Sequence, residues 1–307
     1  MAANKSLFTS NFNMKKFVYK TILISTLIFI GVSLAFIFSN GILKKRISNT
    51  FLSNDVSILF SGDSHIVTSI NDSLIPHSLN IANHGEQYLF TYNKLLKILH
   101  QNPHVNTVFI GCSYHNFSNY LGKGIHEKSS ALNCLYIIPI NKQLKLQSLS
   151  VNPIRTFAKS LKSNVSQLRS KERQYWLGGY SPVINPSLVD SNCVISRIQN
   201  QFYDEKSIRS IFDENIFYLD KIINLLQTRG IALKIIKTPL AEEYEKNVPL
   251  NFKLFYDSII KSNNLELIDF KNLFMVKDDF LPDGDHLSER GARKTSEYLN
   301  SLELNPH

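Results

Sequence analysis

Short apolar runs alternate along the chain with longer segments that have helical spacing. A run of about four to eight apolar residues between polar residues is typical of a strand buried on both faces. Such runs occupy residues 56–60, 78–82, 105–110, 231–236 and 265–270. Apolar residues spaced along one helix face occupy residues 86–100, 205–228, 251–262 and 288–302. The alternation predicts an α/β fold, a flavodoxin-like three-layer α/β/α arrangement with a five-stranded parallel sheet.

The N-terminal region contains a long apolar segment. Residues 21–38 carry no charged side chain, and the apolar stretch extends over residues 17–43 with Lys20 near its start. About 20 apolar residues cross the hydrocarbon core of a bilayer as a helix, so residues 17–43 are predicted to be a transmembrane anchor. A cleaved signal peptide is the alternative. It is disfavoured because the small-residue cleavage pattern after Phe38 is weak and three basic residues, 44–46, follow closely.

The rest of the chain divides into three parts. Residues 1–16 form an N-terminal extension, residues 44–55 a polar connector, and residues 56–302 the α/β domain. Translation could start at Met1 or at Met14, because Met14 and the two lysines after it resemble the start of an anchor segment.

One part of the α/β domain does not follow the alternation. Residues 117–200 have scattered aromatic side chains and no clean period, which predicts an insertion that forms a lid or a substrate wall. Tyr175, Trp176 and Tyr180 lie in this insertion. They offer apolar faces for sugar rings, or they form a small satellite core, which is the commoner use of such residues.

The charge of the chain narrows the class of partner. Lys and Arg number 34 against 25 Asp and Glu, a formal net charge of +9 in 307 residues. The basic residues are spread out and are not interleaved with an aromatic stripe, so we expect no nucleic-acid partner. The excess is compatible with attraction to membrane surfaces or acidic glycans.

Cysteine usage and glycine patterns give no sign of a cofactor. Cys112, Cys134 and Cys193 lack the spacing of a metal site, and no glycine-rich phosphate loop follows the first strand. We therefore expect no metal and no nucleotide cofactor. If the domain lies outside the cytoplasm, Cys134 could pair with Cys193, and three unpaired thiols are an equal alternative.

Two short motifs far apart in the chain contain the residue types of a serine hydrolase. Ser64 lies in Ser-Gly-Asp-Ser-His directly after the first predicted strand, and Asp283 and His286 lie three residues apart before the last predicted helix. A serine hydroxyl needs a base to take its proton during attack, and His286 is the candidate base. Asp283 would hold the imidazole in the required tautomer.

The predicted fold brings these motifs to one edge of the sheet. Ligands of an open parallel sheet bind beyond the carboxyl ends of its strands, where Ser64, Gly85, Ser113 and the loop with His286 are all expected. The backbone N–H groups of Ser64 and Gly85 are candidate donors to an oxyanion. Each motif alone is also ordinary turn or helix-capping chemistry. The joint order and placement favour an active site.

These residues resemble the SGNH hydrolase superfamily, also called GDSL-like esterases, over residues 56–302 apart from the insertion. Gly-Asp-Ser around Ser64 matches the nucleophile motif, and Asn-x-Gly ending at Gly85 is similar to the second motif. Asp283-x-x-His286 matches the last motif. The resemblance implies Ser64 as nucleophile, Asp283 and His286 as acid and base, and Gly85 as an oxyanion donor.

The third motif departs from the family pattern. The family carries Gly-x-Asn there, whereas this chain places Ser113 at the asparagine position and Asn116 three residues later. A hydroxyl donates one hydrogen bond with a shorter reach than a side-chain amide. We expect Ser113, or Asn116 if the loop bends, to be the third oxyanion donor.

The histidine directly after Ser64 and the residues directly after His286 are similar to those of one subgroup of the family. This subgroup is the SGNH domains associated with bacterial polysaccharide O-acyltransferases. This implies a membrane-anchored domain outside the cytoplasm that acts on acyl, most simply acetyl, esters of a surface or exported glycan. Hydrolysis and acyl transfer share an acyl-Ser64 intermediate, and both stay open. The expected partners are the ester substrate, the membrane and a membrane acyl-donor protein. The alternative is a non-catalytic accessory protein of an envelope assembly complex.

Overall fold

A computed structural model of the chain describes residues 14–48, 51–120, 122, 153–169, 177–183, 188–205, 207–268 and 270–302. Its strands are β1 (Ile58–Ser61), β2 (Ser78–Asn80), β3 (Thr107–Gly111), β4 (Tyr203–Asp204), β5 (Ser207–Ile208), β6 (Ala232–Ile236) and β7 (Glu266–Ile268). Its α-helices are α1 (Met14–Ser48), α2 (Ser64–Ser69), α3 (Tyr88–Gln101), α4 (Pro153–Arg169), α5 (Ser191–Phe202), α6 (Asp213–Thr228), α7 (Glu242–Asn247), α8 (Leu250–Ser262) and α9 (Glu289–Ser301).

Five of the strands form one parallel sheet in the order β2-β1-β3-β6-β7. Counted within the sheet, this is the order 2-1-3-4-5 of flavodoxin-like folds, whose strand order reverses between β1 and β3. The predicted fold class is therefore confirmed. Each of the five predicted apolar runs overlaps one of these strands, because a sheet covered on both faces requires continuous apolar sequence.

The sheet separates two hydrophobic cores. Successive side chains of a strand point to opposite faces, so Leu59 of β1 lies in one core and its neighbours Ile58 and Phe60 lie in the other. Apolar residues of α3, α6 and α8 fill the first core, and Ile66 of α2 and Leu299 of α9 contribute to the second. Helices thus cover both faces, as a three-layer arrangement requires.

The chain between the predicted insertion and β6 differs from its sequence-based prediction. The apolar spacing predicts one helix over residues 205–228, but α6 begins only at Asp213, and β4 pairs with β5 as a short antiparallel hairpin. Glu205 adopts a φ of 55° in the turn of this hairpin, a conformation that no right-handed helix accommodates. The described parts of the insertion are largely helical, since they contain α4 and α5.

The N-terminal helix α1 is 35 residues long. Residues Met14–Lys45 form a helical stretch that is long and apolar enough to cross a membrane. Its most apolar 18 residues have a mean hydropathy of 2.5, and 6 % of them are buried. A signal sequence would pass the same test. The C-terminal part of α1 packs on α4, where the ring of Phe36 lies 4.8 Å from that of Phe157 and Asn164 donates to Ser39 Oγ over 3.1 Å.

The cysteines lie in different environments. Cys112 is buried after β3 and Cys193 is exposed at the start of α5. Cys134 lies outside the described residues, so its pairing with Cys193 stays a prediction.

Candidate active site

Ser64 is the first residue of α2 and lies three residues after Ser61, the last residue of β1. The turn that carries it is tight: a Cβ at Gly62 would lie 3.2 Å from the Cα of Gly111 at the end of β3. Gly62 also has a φ of 153°, which L side chains rarely adopt. Asp63 caps α2 by accepting the backbone N–H of His65. The hydroxyl of Ser64 therefore stands at a helix N-terminus above the sheet edge.

Ser64, His286 and Asp283 form one hydrogen-bonded chain. His286 Nε2 lies 2.8 Å from Ser64 Oγ, and His286 Nδ1 lies 2.7 Å from Asp283 Oδ2. The second oxygen of Asp283 accepts the backbone N–H groups of Asp285 and His286. Burial would raise the pKa of Asp283, but the hydrogen bond and charge of His286 outweigh it and lower that pKa. An ionised Asp283 can stabilise an imidazolium at His286.

Two backbone N–H groups are available to an oxyanion. Among the described residues, neither the N–H of Ser64 nor that of Gly85 donates to a protein acceptor. Both residues line the cleft that contains His286. Gly85 has a φ of 63°, a left-handed conformation that suits glycine. Both N–H groups therefore stay candidate oxyanion donors in the cleft that contains the serine hydroxyl.

Neither candidate for the third oxyanion donor, Ser113 or Asn116, faces the cleft. Asn116 Nδ2 donates to Asp63 Oδ2 over 2.9 Å, and Asn116 Oδ1 accepts the N–H of Ser113. Ser113 is buried, and its hydroxyl has no hydrogen-bond partner among the described residues. Neither Ser113 nor Asn116 lines the cleft. The structure therefore places both side chains away from the cleft, with Asn116 bound to Asp63.

A second and a third histidine–aspartate pair lie next to the first. His65 Nε2 lies 3.0 Å from Asp285 Oδ1, and His115 Nε2 lies 2.6 Å from Asp63 Oδ2. The ring of His65 stacks on that of His115 at 4.1 Å between centroids, and it lies 4.9 Å from the ring of His286. The hydroxyl of Thr238 lies 3.2 Å from the other nitrogen of His65.

The two buried carboxylates of these pairs are strongly held in the ionised form. Burial would raise the pKa of Asp63, but the charges and hydrogen bonds of His115 and His65 lower it well below its usual range. The same balance, with His65 and Arg197 as the favourable charges, lowers the pKa of Asp285 well below the ordinary 3.8. Each of these buried carboxylates therefore has charged partners that offset the free-energy cost of removing it from water.

The cleft at the sheet edge has a volume of about 530 Å³. It is lined by Ser64, Thr68, His84, Gly85, Tyr120, Val183, Arg197, Asn200, Arg209, Leu281 and His286. Three of the lining residues, Val183, Arg197 and Asn200, come from the end of the predicted insertion, which therefore forms part of the wall. Tyr180 does not line the cleft, and Tyr175 and Trp176 lie outside the described residues.

Among the residues that the structure describes, two groups of side chains have donor atoms close enough for a metal ion: His65, His115 and Asp285, and Asp283, Asp285 and His286. Every histidine in them already has a carboxylate within 3.0 Å, and Asp285 also accepts from Arg197. A guanidinium directly on a ligand carboxylate opposes a cation. These groups fit a network of histidine–carboxylate pairs better than a metal centre.

No family model matches the chain, and no curated protein matches it. Among solved structures, the chain is similar to one from Streptococcus pneumonia that is provisionally described as a platelet activating factor. That likeness has 13 % sequence identity and a TM-score of 0.42, and it covers 92 % of this chain and 98 % of the other. The chemistry of the site accordingly rests on the geometry of its residues.

Sequence reasoning assigns no role to several residues that the structure places in the site. His65 and Asp285 stand inside the two motifs, directly after Ser64 and directly before His286, so their residue types were a signal. His115 lies two residues after Ser113 in the third motif. Arg197 had no local signal, because it reaches Asp285 from the predicted insertion.

Proposed function

We propose that this protein is a membrane-anchored serine esterase or O-acyltransferase of the SGNH type. Its substrate would be an acyl ester, most simply an acetyl ester, of a cell-surface or exported glycan. The observation that carries the proposal is the hydrogen-bonded chain from Ser64 through His286 to Asp283. The backbone N–H groups of Ser64 and Gly85, which line the same cleft as His286, support the same chemistry.

The first half-reaction transfers the acyl group to the enzyme. Ser64 Oγ attacks the ester carbonyl while His286 Nε2 takes the hydroxyl proton, and the carbonyl oxygen becomes an oxyanion. That oxyanion accepts hydrogen bonds from the N–H groups of Ser64 and Gly85. The tetrahedral intermediate then expels the alcohol, which receives the proton from His286 Nε2. The product is an acyl-Ser64 ester.

The second half-reaction removes the acyl group. His286 takes a proton from an incoming hydroxyl, which attacks the acyl-Ser64 carbonyl and releases the serine with its proton restored. Water as the attacking group gives hydrolysis, and a sugar hydroxyl gives transfer. In a transfer reaction, a membrane acyl-donor protein is the partner that supplies the first ester.

The anchor supports a location at the cell membrane. In this proposal α1 crosses a bacterial membrane once, with its N-terminus inside and the catalytic domain outside the cytoplasm. Helix α4 packs on the C-terminal part of α1, which links the anchor to the insertion.

A comparison of three proteins tests the proposal. The full chain in detergent is assayed for hydrolysis of 4-nitrophenyl acetate and for labelling by a fluorophosphonate probe. Ser64→Ala should lose both signals, whereas Ser258→Ala, which changes an exposed serine of α8, should keep both. Equal hydrolysis and equal labelling by the native chain and Ser64→Ala would sink the enzymatic proposal.

One observation favours a second candidate, a non-catalytic accessory protein of a polysaccharide or envelope assembly complex. The asparagine donor of the resembled family is replaced by Ser113, and Asn116 is engaged with Asp63. Loss of one oxyanion donor typically costs a factor of about 10²–10³ in rate. Absence of fluorophosphonate labelling in the native chain would favour this candidate.

A further inference from the structure

Two arginines line the cleft together with the proposed nucleophile. Arg197 comes from α5, and Arg209 follows β5, so the predicted insertion and the hairpin after it each contribute one cation. The described residues that line the cleft include no aspartate or glutamate. The open volume beside Ser64 is therefore bounded by positive charge.

Arg197 is held in place by the network behind the triad. Its Nε donates to Asp285 Oδ2 over 2.6 Å, and Gln201, one helical turn later, donates to the same oxygen over 2.8 Å. The terminal nitrogens of Arg197 make no hydrogen bond to the described residues, and 23 % of its side chain is exposed. A guanidinium fixed at Nε still presents its two terminal nitrogens to an anion.

Arg209 is less engaged with other protein groups. Its Nε donates to the carbonyl of Asn200 over 3.3 Å. Its nearest carboxylate is Asp204, at 3.7 Å from Nη1, and the side chain of Asp204 is 45 % exposed. The side chain of Arg209 is only 13 % exposed, but at 3.7 Å this ion pair is longer than a hydrogen bond, so the guanidinium can take a ligand anion as a closer partner.

Of the other titratable groups nearby, Asp285 offsets the charge of Arg197, and none forms a close pair with Arg209 among the described residues. Asp283 is bound by His286, and Asp285 by His65 and Arg197. His84 lines the cleft. Its burial, and to a smaller extent the nearby His286, lower the pKa of His84 from 6.5, so the His84 side chain is neutral at neutral pH. Among the described residues, no carboxylate lies within hydrogen-bond distance of Arg209.

We propose that Arg197 and Arg209 form a subsite for an anionic group, a carboxylate or a phosphate, on the molecule whose ester reaches Ser64. This inference rests on the proposed function and specifies its substrate class: an acidic rather than a neutral glycan. Arginine forks bind both carboxylates and phosphates with paired hydrogen bonds.

Binding to a catalytically silent chain tests the subsite separately from turnover. Titration calorimetry on the full-length Ser64→Ala protein compares glucuronate, glucose 1-phosphate and glucose at constant ionic strength, up to about 10 mM, a range that includes millimolar affinity. At least one anionic sugar should bind about tenfold or more tightly than glucose. The stronger of the two identifies carboxylate or phosphate as the preferred group.

Second-site variants assign the binding to the arginines. Adding Arg209→Gln should weaken the binding of the anionic sugar about tenfold. Arg209→Lys should recover part of the lost affinity because it restores the charge. Adding Lys261→Gln, on the exposed surface of α8, should leave the affinity unchanged. Equal binding of all three sugars, no saturable binding, or no effect of Arg209→Gln would overturn the subsite. Equal ester hydrolysis by the native and Ser64→Ala chains would overturn the proposed function alone.

Discussion

At the scale of single residues, the histidines of the site depend on one another through their carboxylates. His65 lies between His115 and His286, and each of the three rings has its own aspartate. Because Asp285 also binds Arg197, the network joins the proposed triad to the proposed anion subsite. A change at one of these carboxylates should therefore affect both the position of His286 and the charge at the cleft.

The placement of Ser113 predicts a small effect of its removal. Its hydroxyl is buried away from the cleft, so Ser113→Ala should change kcat for 4-nitrophenyl acetate by less than about tenfold, well below the 10²–10³ of a lost oxyanion donor. Steady-state kinetics of the purified chain measure this. A hundredfold loss would mean that Ser113 donates to the oxyanion after all, as the sequence suggested.

The ionised form of Asp63 predicts a pH-dependent contribution to stability. Its pKa is lower in the folded chain than the ordinary 3.8, so its stabilising effect is complete above about pH 3.8 and is lost as pH falls further. Asp63→Asn should lower the free energy of unfolding by about 2–3 kcal/mol at neutral pH. The difference from the native chain should shrink below about pH 3.8.

Urea unfolding of both proteins between neutral pH and about pH 2.5 measures that difference, over the range where the Asp63 carboxyl of the unfolded chain titrates. Asp220→Asn, at an exposed position of α6, is the matched control and should show no comparable effect. A difference that stays constant with pH would contradict the assignment of a buried, ionised Asp63.

At the scale of elements, a buried ion pair holds the loop between β2 and α3. Lys94 of α3 is fully buried, and its Nζ lies 2.6 Å from Glu86 Oε2. The same ammonium group donates to the carbonyls of Ile81 and Leu177. It therefore ties both ends of the Gly85 loop and the end of the insertion to one point of α3. The position of the Gly85 N–H depends on this arrangement.

Breaking the pair should cost more than removing both charges. Lys94→Met leaves Glu86 buried without its partner and should lower the free energy of unfolding by about 3–5 kcal/mol. The double variant Glu86→Gln, Lys94→Met should be more stable than the single variant, because a neutral amide removes the uncompensated charge while Asn83 and Thr91 remain as polar partners. Thermal unfolding of the full chain in detergent measures both. A double variant less stable than Lys94→Met would contradict this account.

The sequence predicted the elements well where burial of both sheet faces determines the structure, and poorly where a turn determines it. Residues 56–60 and 105–110 are predicted as strands because their continuous apolar sequence indicates burial on both faces. The observed bounds of β1 and β3 differ from these ranges by one or two residues. Residues 205–228 read as one helix because apolar spacing continues through 205–212. The hairpin of β4 and β5 overrides that spacing, and it depends on pairing between strands rather than on local periodicity.

At the scale of the whole molecule, the proposed orientation of the domain in the membrane can be tested through its cysteines. Cys193 is exposed at the start of α5, whereas Cys112 is buried and burial raises its pKa to about 12. Cys193 can therefore report which side of the membrane the domain occupies. Its hydrogen bond to Asp190 raises the pKa of the Cys193 thiol, so mildly alkaline conditions favour its reaction.

A membrane-impermeant maleimide should label Cys193 in intact cells of a bacterial host. The labelled protein is a Cys134→Ser variant, in which no pairing of Cys193 with Cys134 can block the reaction. Adding Cys193→Ser should abolish the signal. Labelling that appears only after the cells are lysed would place the domain in the cytoplasm and contradict the proposed orientation.

The sequence by itself determined the fold class, the apolar N-terminal segment and the residue types of the proposed triad. These follow from local signals, because strand burial, helix spacing and turn residues are written in neighbouring positions. Only the tertiary structure decided which partner each polar group takes. Asn116 binds Asp63 across 53 positions of the chain, and Arg197 binds Asp285 across 88. Such pairings depend on how loops from separate elements meet at the sheet edge, and no local pattern encodes that.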